Sequence, residues 1–309
     1  MHITLNKAKS SSTLHQKDTN MKFAIFGNPN KSKKFENVDT LFDTIRKLGS
    51  SFSIDRTFYD FLCQICPDKL DNVDIIDGDD FTADVVISYG GDGTMLRTAS
   101  RVGSKGYPIL GINGGRLGFL TTISHNEIPQ TIEDIHNGEY SIEERCLIKA
   151  EASGNTLSSD PYALNEIAVM KHDSSSMMKI DVTLDNSDTI TYQADGLIVA
   201  TPSGSTGYSL SVGGPIICPD AAVLVLTPIA SHSLGARPIV LNDNTRIEIK
   251  ADSRSHNFLV AIDGRSESCP DNTILTITKA SYKLRLIRSK GSSFVKNLHN
   301  KMMWGADFR

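Results

Sequence analysis

Asp84-Val85-Val86-Ile87-Ser88-Tyr89 is an apolar run that enters the turn Gly90-Gly91-Asp92-Gly93-Thr94, and Met95, Ala99 and Val102 then recur at helical spacing. A buried strand, a glycine turn and a helix in that order form the repeating unit of an α/β fold with a parallel sheet. The neighbouring segments extend the pattern. Lys22–Gly27 (KFAIFG) reads as a strand, Leu41, Phe42, Ile45 and Leu48 mark one face of a helix, and Tyr107–Ile112 (YPILGI) reads as a third strand. Right-handed crossovers would make these strands parallel, with ligands beyond their C-terminal ends. The Gly90–Thr94 turn occupies such an end.

The turn carries its own chemistry. Gly90, Gly91 and Gly93 lack a Cβ and can adopt φ > 0, so their backbone N–H groups can approach a phosphate, and the next helix adds the positive end of its dipole. The single carboxylate there is Asp92. An Asp in a glycine turn can simply hydrogen-bond its own backbone, but three glycines around it at a strand end favour the catalytic carboxylate of a phosphoryl-transfer site. A second glycine turn, Asn113-Gly114-Gly115-Arg116-Leu117-Gly118, follows the third strand. The expected phosphate loop is therefore Gly90, Gly91, Gly93, Thr94, Asn113, Gly114 and Gly115. Arg116 reads equally well as a phosphate contact or a surface cation.

Past residue 121 the period changes to two. Ile180, Val182 and Leu184, Ile247 and Ile249, and Tyr282, Leu284 and Leu286 alternate with polar residues, and Asp185-Asn186-Ser187-Asp188 is a turn. The expected organisation is an extension over 1–20 that is disordered or upstream of the true start, a Rossmann-like α/β domain over 21–121 and an all-β domain over 122–287. A tail over 288–309 would pack back through Phe294, Val295, Leu298 and Met302. Within the β half, Asn165-Glu166 interrupts the strand-like YALNEIAVM, Asp195-Gly196 precedes LIVA, and Thr201–Pro215 is a long run of glycines and small hydroxyls. The ordered strands flanking that run, and Tyr208 inside it, argue against a flexible linker.

Composition narrows the function. The 309 residues carry a formal charge of −4, with 39% hydrophobic and 22% charged residues. No basic face favours nucleic acid, and no apolar run reaches the ~20 residues of a membrane span; Ala221–Ala230 is short and holds Pro228. Cysteines at 63, 66, 146, 218 and 269 make no disulfide framework, and Cys63-x-x-Cys66 has no second pair, so two reduced thiols in a packed helix and a cytoplasmic setting are expected. GxxxxGK[ST], an opening GxGxxG and GxSxG are absent. His172, His232 and His256 have no metal spacing, and Asp74, Asp77, Asp79 and Asp80 read as a solvated turn rather than a calcium loop. No protein-held metal is expected.

With GGDGT, NGGRLGFL, LNE and DGLIVATPSGSTGYSLSVGGP in this order, the chain closely resembles the NAD kinases, within the wider GGDGT kinase group. The likeness runs from about residue 22 to the Lys301–Gly305 segment, and the 201–215 element with Asn165-Glu166 and Asp195-Gly196 is its most specific part. The resemblance implies transfer of the γ-phosphate of ATP, carried with Mg²⁺ or another divalent cation, to the 2′-hydroxyl of the adenosine ribose of NAD. It implies Asp92 as proton acceptor with Gly93 beside it, Arg97 on phosphate, and Asn165 and Glu166 on the adenine and ribose. Asp195 would hold the nicotinamide end or a neighbouring molecule's adenine. Ser203, Thr206, Gly207, Tyr208, Ser209, Leu210 and Ser211 would wrap the dinucleotide, with Tyr208 stacking on adenine. Three positions depart from the usual pattern: Gly207 replaces Ala, Gln193 stands where Arg is frequent, and Arg265 where Gln is common. A homodimer or homotetramer is implied. A lipid kinase of the same group and a non-catalytic dinucleotide sensor are the alternatives; an apolar groove would mark the first, and retention of Asp92 disfavours the second.

Overall fold

The computed structural model describes residues 20–29, 38–114, 118–154, 157–172, 177–289, 291 and 293–302. The expected extension over 1–20, Asn20 apart, lies outside them, as do Gly115 and Arg116. The strands β1 (Lys22–Gly27), β2 (Ser51–Asp55), β3 (Asp74–Ile76), β4 (Val85–Tyr89) and β5 (Ile109–Ile112) are parallel, in the order β3-β2-β1-β4-β5. The order reverses between β1 and β4, which places a ligand crevice at their C-terminal ends. Neither β2 nor β3 announced itself in the sequence: each is short, and Asp74 heads a strand rather than lying in the acidic turn.

Helices α1 (Val38–Lys47), α2 (Arg56–Ile65) and α3 (Asp92–Val102) connect these strands. Cys63 is an exposed thiol on α2 and Cys66 caps it half-buried, so Phe58 and Leu62, rather than the thiols, fill the packed face. A fourth helix, α4 (Ile128–His136), falls inside the stretch expected to be all-β. Ile128, Ile132 and Ile135 recur with helical period and pack in one cluster with Phe23, Leu41, Phe42 and Ile45. The α/β body therefore extends past residue 121.

The second half begins with β6 (Ser141–Ala152) and β7 (Tyr162–Ala163). A sheet of β8 (Glu166–Lys171), β11 (Gly196–Ala200), β12 (Val223–Ile229), β13 (Ile239–Asn242), β15 (Asn257–Ile262) and β16 (Arg265–Pro270) packs face to face against β9 (Met178–Leu184), β10 (Asp188–Ala194), β14 (Ile247–Asp252) and β17 (Ile274–Arg288). Ile180, Val182, Ile247 and Ile249 on one side meet Ile167, Val169, Leu197, Val199 and Val260 on the other, the alternation that the period of two demanded. Asp185 and Asn186, both at positive φ, turn β9 into β10. Pro228 lies beyond the last β12–β13 pair, Leu226↔Ile239, where its missing N–H costs no ladder bond to β13.

The two halves share a strand. Near its start β17 pairs with β14 (Ile247↔Ile277), its register against β6 shifts between Lys279 and Lys283, and Leu286 then pairs in parallel with Ile109 of β5. The parallel sheet thus continues into the β half. Among the described residues no helix is long and apolar enough to cross a membrane.

Candidate functional site

Gly90 takes φ +155°, and a Cβ there would meet Thr94 Oγ1 at 2.4 Å; on Gly91 or Gly93 a Cβ would meet nothing within 4 Å. Of these three glycines, only Gly90 uses the left-handed half of the map. The other two leave the mouth of the turn open. Asp92 opens α3, and its carboxylate reaches across to the second glycine turn. Oδ1 accepts from Leu120 N (3.1 Å), Thr121 N (3.1 Å) and Thr121 Oγ1 (3.0 Å), while Oδ2 accepts from Phe119 N at 2.9 Å. Oδ1 is saturated, while Oδ2 also takes a long contact from Lys301 Nζ at 3.5 Å and keeps capacity for a further donor. Asn113 is buried, and its Nδ2 donates to the same Thr121 hydroxyl at 3.4 Å.

Beside this turn, at the reversal point of the sheet, lies a cleft of about 390 Å³ lined by Gly27, Asn28, Thr94, Arg97, Arg101 and Arg265 among others. Arg97 is exposed on its wall. Arg101 is tied to Asp55 (2.9 Å) and to Asp79. Arg265 donates to Asp160 O (3.2 Å) and Tyr162 O (3.0 Å), so its guanidinium braces the β7 edge while lining the cleft.

Asn165 and Glu166 form a second cluster. Asp263, at φ +47°, accepts from Leu164 N (2.7 Å), Asn165 N (2.9 Å) and Glu166 N (3.1 Å) and so fixes the interruption before β8. The Thr201–Pro215 run folds over it. Thr201 N donates to Asn165 O (2.9 Å), and a Cβ on Gly204 would sit 2.1 Å from that oxygen. A Cβ on Gly207 would come 2.8 Å from Glu166 Oε2, which gives the Ala-to-Gly departure a local reason. Thr206 Oγ1 donates to Ser203 O (3.3 Å), and Tyr208 is 39% exposed at the turn's outer edge. Asn165 Oδ1 and Glu166 Oε2 are buried without a protein partner among the described residues, and such orphaned polar atoms are rare in folded proteins. Leu164 packs in one cluster with Met95 and Leu120, which brings this site against the Asp92 site.

Burial, followed by the nearby charge of Asp263, pushes the Glu166 carboxyl up to about 7, against the lowering effect of the Tyr208 N–H. Because the folded value exceeds the ordinary 4.5, the contribution to stability is complete below pH ~4.5 and is lost as pH rises through 7, a change of about 3 kcal/mol. Thermal melts of Glu166→Gln against wild type should therefore show a gap that opens from pH 5 to pH 8 in favour of the variant. A gap independent of pH would refute the buried-acid account.

Other expected residues fall elsewhere. Ser209 is fully buried, its hydroxyl 2.9 Å from Thr227 Oγ1, so it holds the turn rather than facing outward. Ser203 is buried and accepts from Arg145 Nη1 at 2.9 Å. Leu210 is half-buried and Ser211 exposed. Asp195 pairs with Lys171 at 2.8 Å, and Gln193 is exposed on β10. Gly196↔Met170 and Ala200↔Glu166 mark opposite ends of one ladder, so Asp195 stands roughly 16 Å along the strands from Glu166. The structure does not bring Asp195 and Gln193 to the Asp92 cluster. Sequence reading placed Gly118 in the second glycine turn without a role and missed Asp263, Arg145 and Thr121; for these three the Asp263-Gly264 turn was the one local signal.

Residues 13–140 match the family model described as ATP-NAD kinase N-terminal domain, and residues 164–289 match that of the ATP-NAD kinase C-terminal domain. An NAD kinase of Bacteroides fragilis is 50% identical over 289 residues, covering 94% of this chain and all of the relative. An NAD kinase of Porphyromonas gingivalis is 43% identical, covering 93% and 99%. A crystal structure of a yeast NADH kinase complexed with NADH superposes with TM-score 0.84 at 21% identity, covering 95% of this chain and 90% of that one. An Archaeoglobus fulgidus NAD kinase in complex with ATP gives 0.72 at 26% identity, covering 92% and 99%.

Proposed function

The chain belongs to the ATP-NAD kinase family, and on that footing we propose how its residues divide the work of phosphorylating NAD. The protein is an NAD kinase by activity: it transfers a phosphoryl group from ATP to NAD. In our reading Asp92 receives the 2′-hydroxyl of the adenosine ribose on Oδ2. The observation that carries this is the unequal engagement of its two oxygens: Oδ1 is held by three donors, whereas Oδ2 has Phe119 N at 2.9 Å and only a long contact, 3.5 Å, from Lys301 Nζ. A carboxylate so held orients the hydroxyl and takes its proton late, which suits a loose phosphoryl-transfer transition state.

Gly91 and Gly93 leave the mouth of the turn open to the donor phosphates, which meet the α3 N-terminus and Arg97. Among the described residues no three His, Cys, Asp or Glu side chains converge as a metal cage. This donor set fits a Mg²⁺ held by phosphate oxygens and water with Asp92 the carboxylate near it. The cation would supply charge neutralisation on the phosphates. Asn165 and Glu166 take the adenine and ribose with their unpartnered oxygens.

Tyr208 stacks on adenine. Tyr208→Ala should raise the KM for NAD by about tenfold, the scale of one base–aromatic stack, with kcat within about twofold; an unchanged KM would remove Tyr208 from the site. Asp195 and Gln193, at the far end of the ladder, are assigned to a neighbouring copy's ligand in a homodimer or homotetramer. A cytoplasmic setting completes the reading. Purified protein with NAD and Mg-ATP should form NADP. No NADP would overturn the activity, and phosphorylation of diacylglycerol or sphingosine in parallel reactions would redirect it to lipids.

A further inference from the structure

Asp92 Oδ2 faces an ammonium from the far end of the chain. Lys301 Nζ lies 3.5 Å from that oxygen and 4.3 Å from the centroid of the Phe119 ring. Lys301 belongs to α5 (Phe294–Met302), which has no buried residue and leaves Val295 72% exposed. Of its apolar residues Phe294 and Leu298 are half-buried, while Val295 and Met302 face solvent, so only part of the expected apolar face packs back. The helix roofs a second cleft of about 300 Å³, lined by Phe119, Arg145, Arg288, Phe294 and Asn297 among others. Arg145 is only 5% exposed there, and its Nε has no partner among the described residues.

An ammonium has three donors, and at most one is directed at Asp92. The ammonium lies over the face of Phe119, whose own backbone N–H holds the same carboxylate oxygen, so the cation and the carboxylate share one support. Asp92 also poses an electrostatic problem: a carboxylate beside the acceptor hydroxyl repels the phosphates that must approach it. A cation seated on that carboxylate offsets the repulsion at the point where charge accumulates.

We propose that Lys301 is a catalytic residue whose ammonium bridges Asp92 and the phosphoryl group in transfer. The inference rests on the phosphoryl-transfer reading of Asp92. The bond from the ribose 2′-oxygen to the γ-phosphorus forms while the bond from that phosphorus to the β,γ-bridging oxygen breaks. ADP leaves with the electron pair, the hydroxyl proton passes to Asp92, and Lys301 neither gains nor loses a proton.

Lys301→Met keeps an unbranched side chain and removes the charge; Lys301→Arg keeps the charge. Steady-state kinetics with NAD and Mg-ATP, run below the melting temperature of each variant, should show kcat for Lys301→Met down about 100-fold with the KM for NAD within about threefold. Lys301→Arg should retain at least a tenth of the wild-type kcat. Combining Lys301→Met with Asp92→Asn should cost little beyond Asp92→Asn alone, because the two groups act as a unit. A kcat for Lys301→Met within twofold of wild type would overturn the proposal, as would equal losses in the Met and Arg variants. A wild-type protein that makes no NADP would instead overturn the kinase reading itself.

Discussion

Asp92→Asn is expected to lower kcat for NADP formation by about 10³-fold, the scale of losing a positioned proton acceptor, with the KM for NAD within about threefold. The variant changes one atom, and the surrounding donors dictate its orientation. The amide oxygen must take the Oδ1 position, where Leu120 N, Thr121 N and the Thr121 hydroxyl converge. The amide nitrogen then replaces Oδ2 and points donors at Phe119 N–H and the Lys301 ammonium. The acceptor for the ribose hydroxyl is gone, and one backbone N–H loses its partner at about 1–3 kcal/mol. Melting and kinetics together separate the two consequences: a melting temperature lower by several degrees, and a kcat loss that persists well below it. More than a tenth of wild-type kcat in the folded variant would remove Asp92 from the chemistry.

What the sequence made legible was what lies consecutively along it. The run from Asp84 to Val102 contains a strand, its turn and the helix that follows, and the structure returns β4, Gly91 at the cap and α3 there. The same held for Asn165-Glu166 and for Thr201–Pro215, because a polar break in a strand and a glycine–hydroxyl run are local signals. The residues that hold these groups were not legible. Asp92 is bound by residues 27 to 29 positions away, the Asn165-Glu166 segment by Asp263, 97 to 99 positions away, and Lys301 arrives from 209 positions away. Such pairings depend on sheet order and register, which no local period encodes. Asp195 shows the opposite failing: its Asp-Gly signal is plain, but antiparallel register carries it to the other end of the β8–β11 ladder. In α4 the helical period of the isoleucines was present, and the expectation of an all-β domain from residue 122 passed over it.

Gly118→Ala tests whether the second glycine turn serves Asp92 or only closes a loop. A Cβ at Gly118 would lie 1.9 Å from Asp92 Oδ1, 2.6 Å from its Cγ and 2.4 Å from Thr121 Oγ1. Gly118 is not among the positive-φ glycines, so alanine meets no backbone objection and the demand is for space alone. Contacts that close are not absorbed by a few tenths of an ångström; either the carboxylate rotates off its donors or the 118–121 turn withdraws and takes those donors with it. Both routes displace the proton acceptor by about an ångström, which is worth on the order of 10²-fold in rate. The Glu166–Tyr208 site is built on other backbone, anchored by Asp263, so NAD affinity should stay within about threefold of wild type. The expected outcome is therefore a protein that binds NAD, measured by titration calorimetry, and phosphorylates it about 100-fold more slowly. Wild-type kcat in Gly118→Ala would mean that the turn relaxes without moving Asp92, and that the four hydrogen bonds its carboxylate accepts from residues 119–121 are not what sets its geometry for transfer.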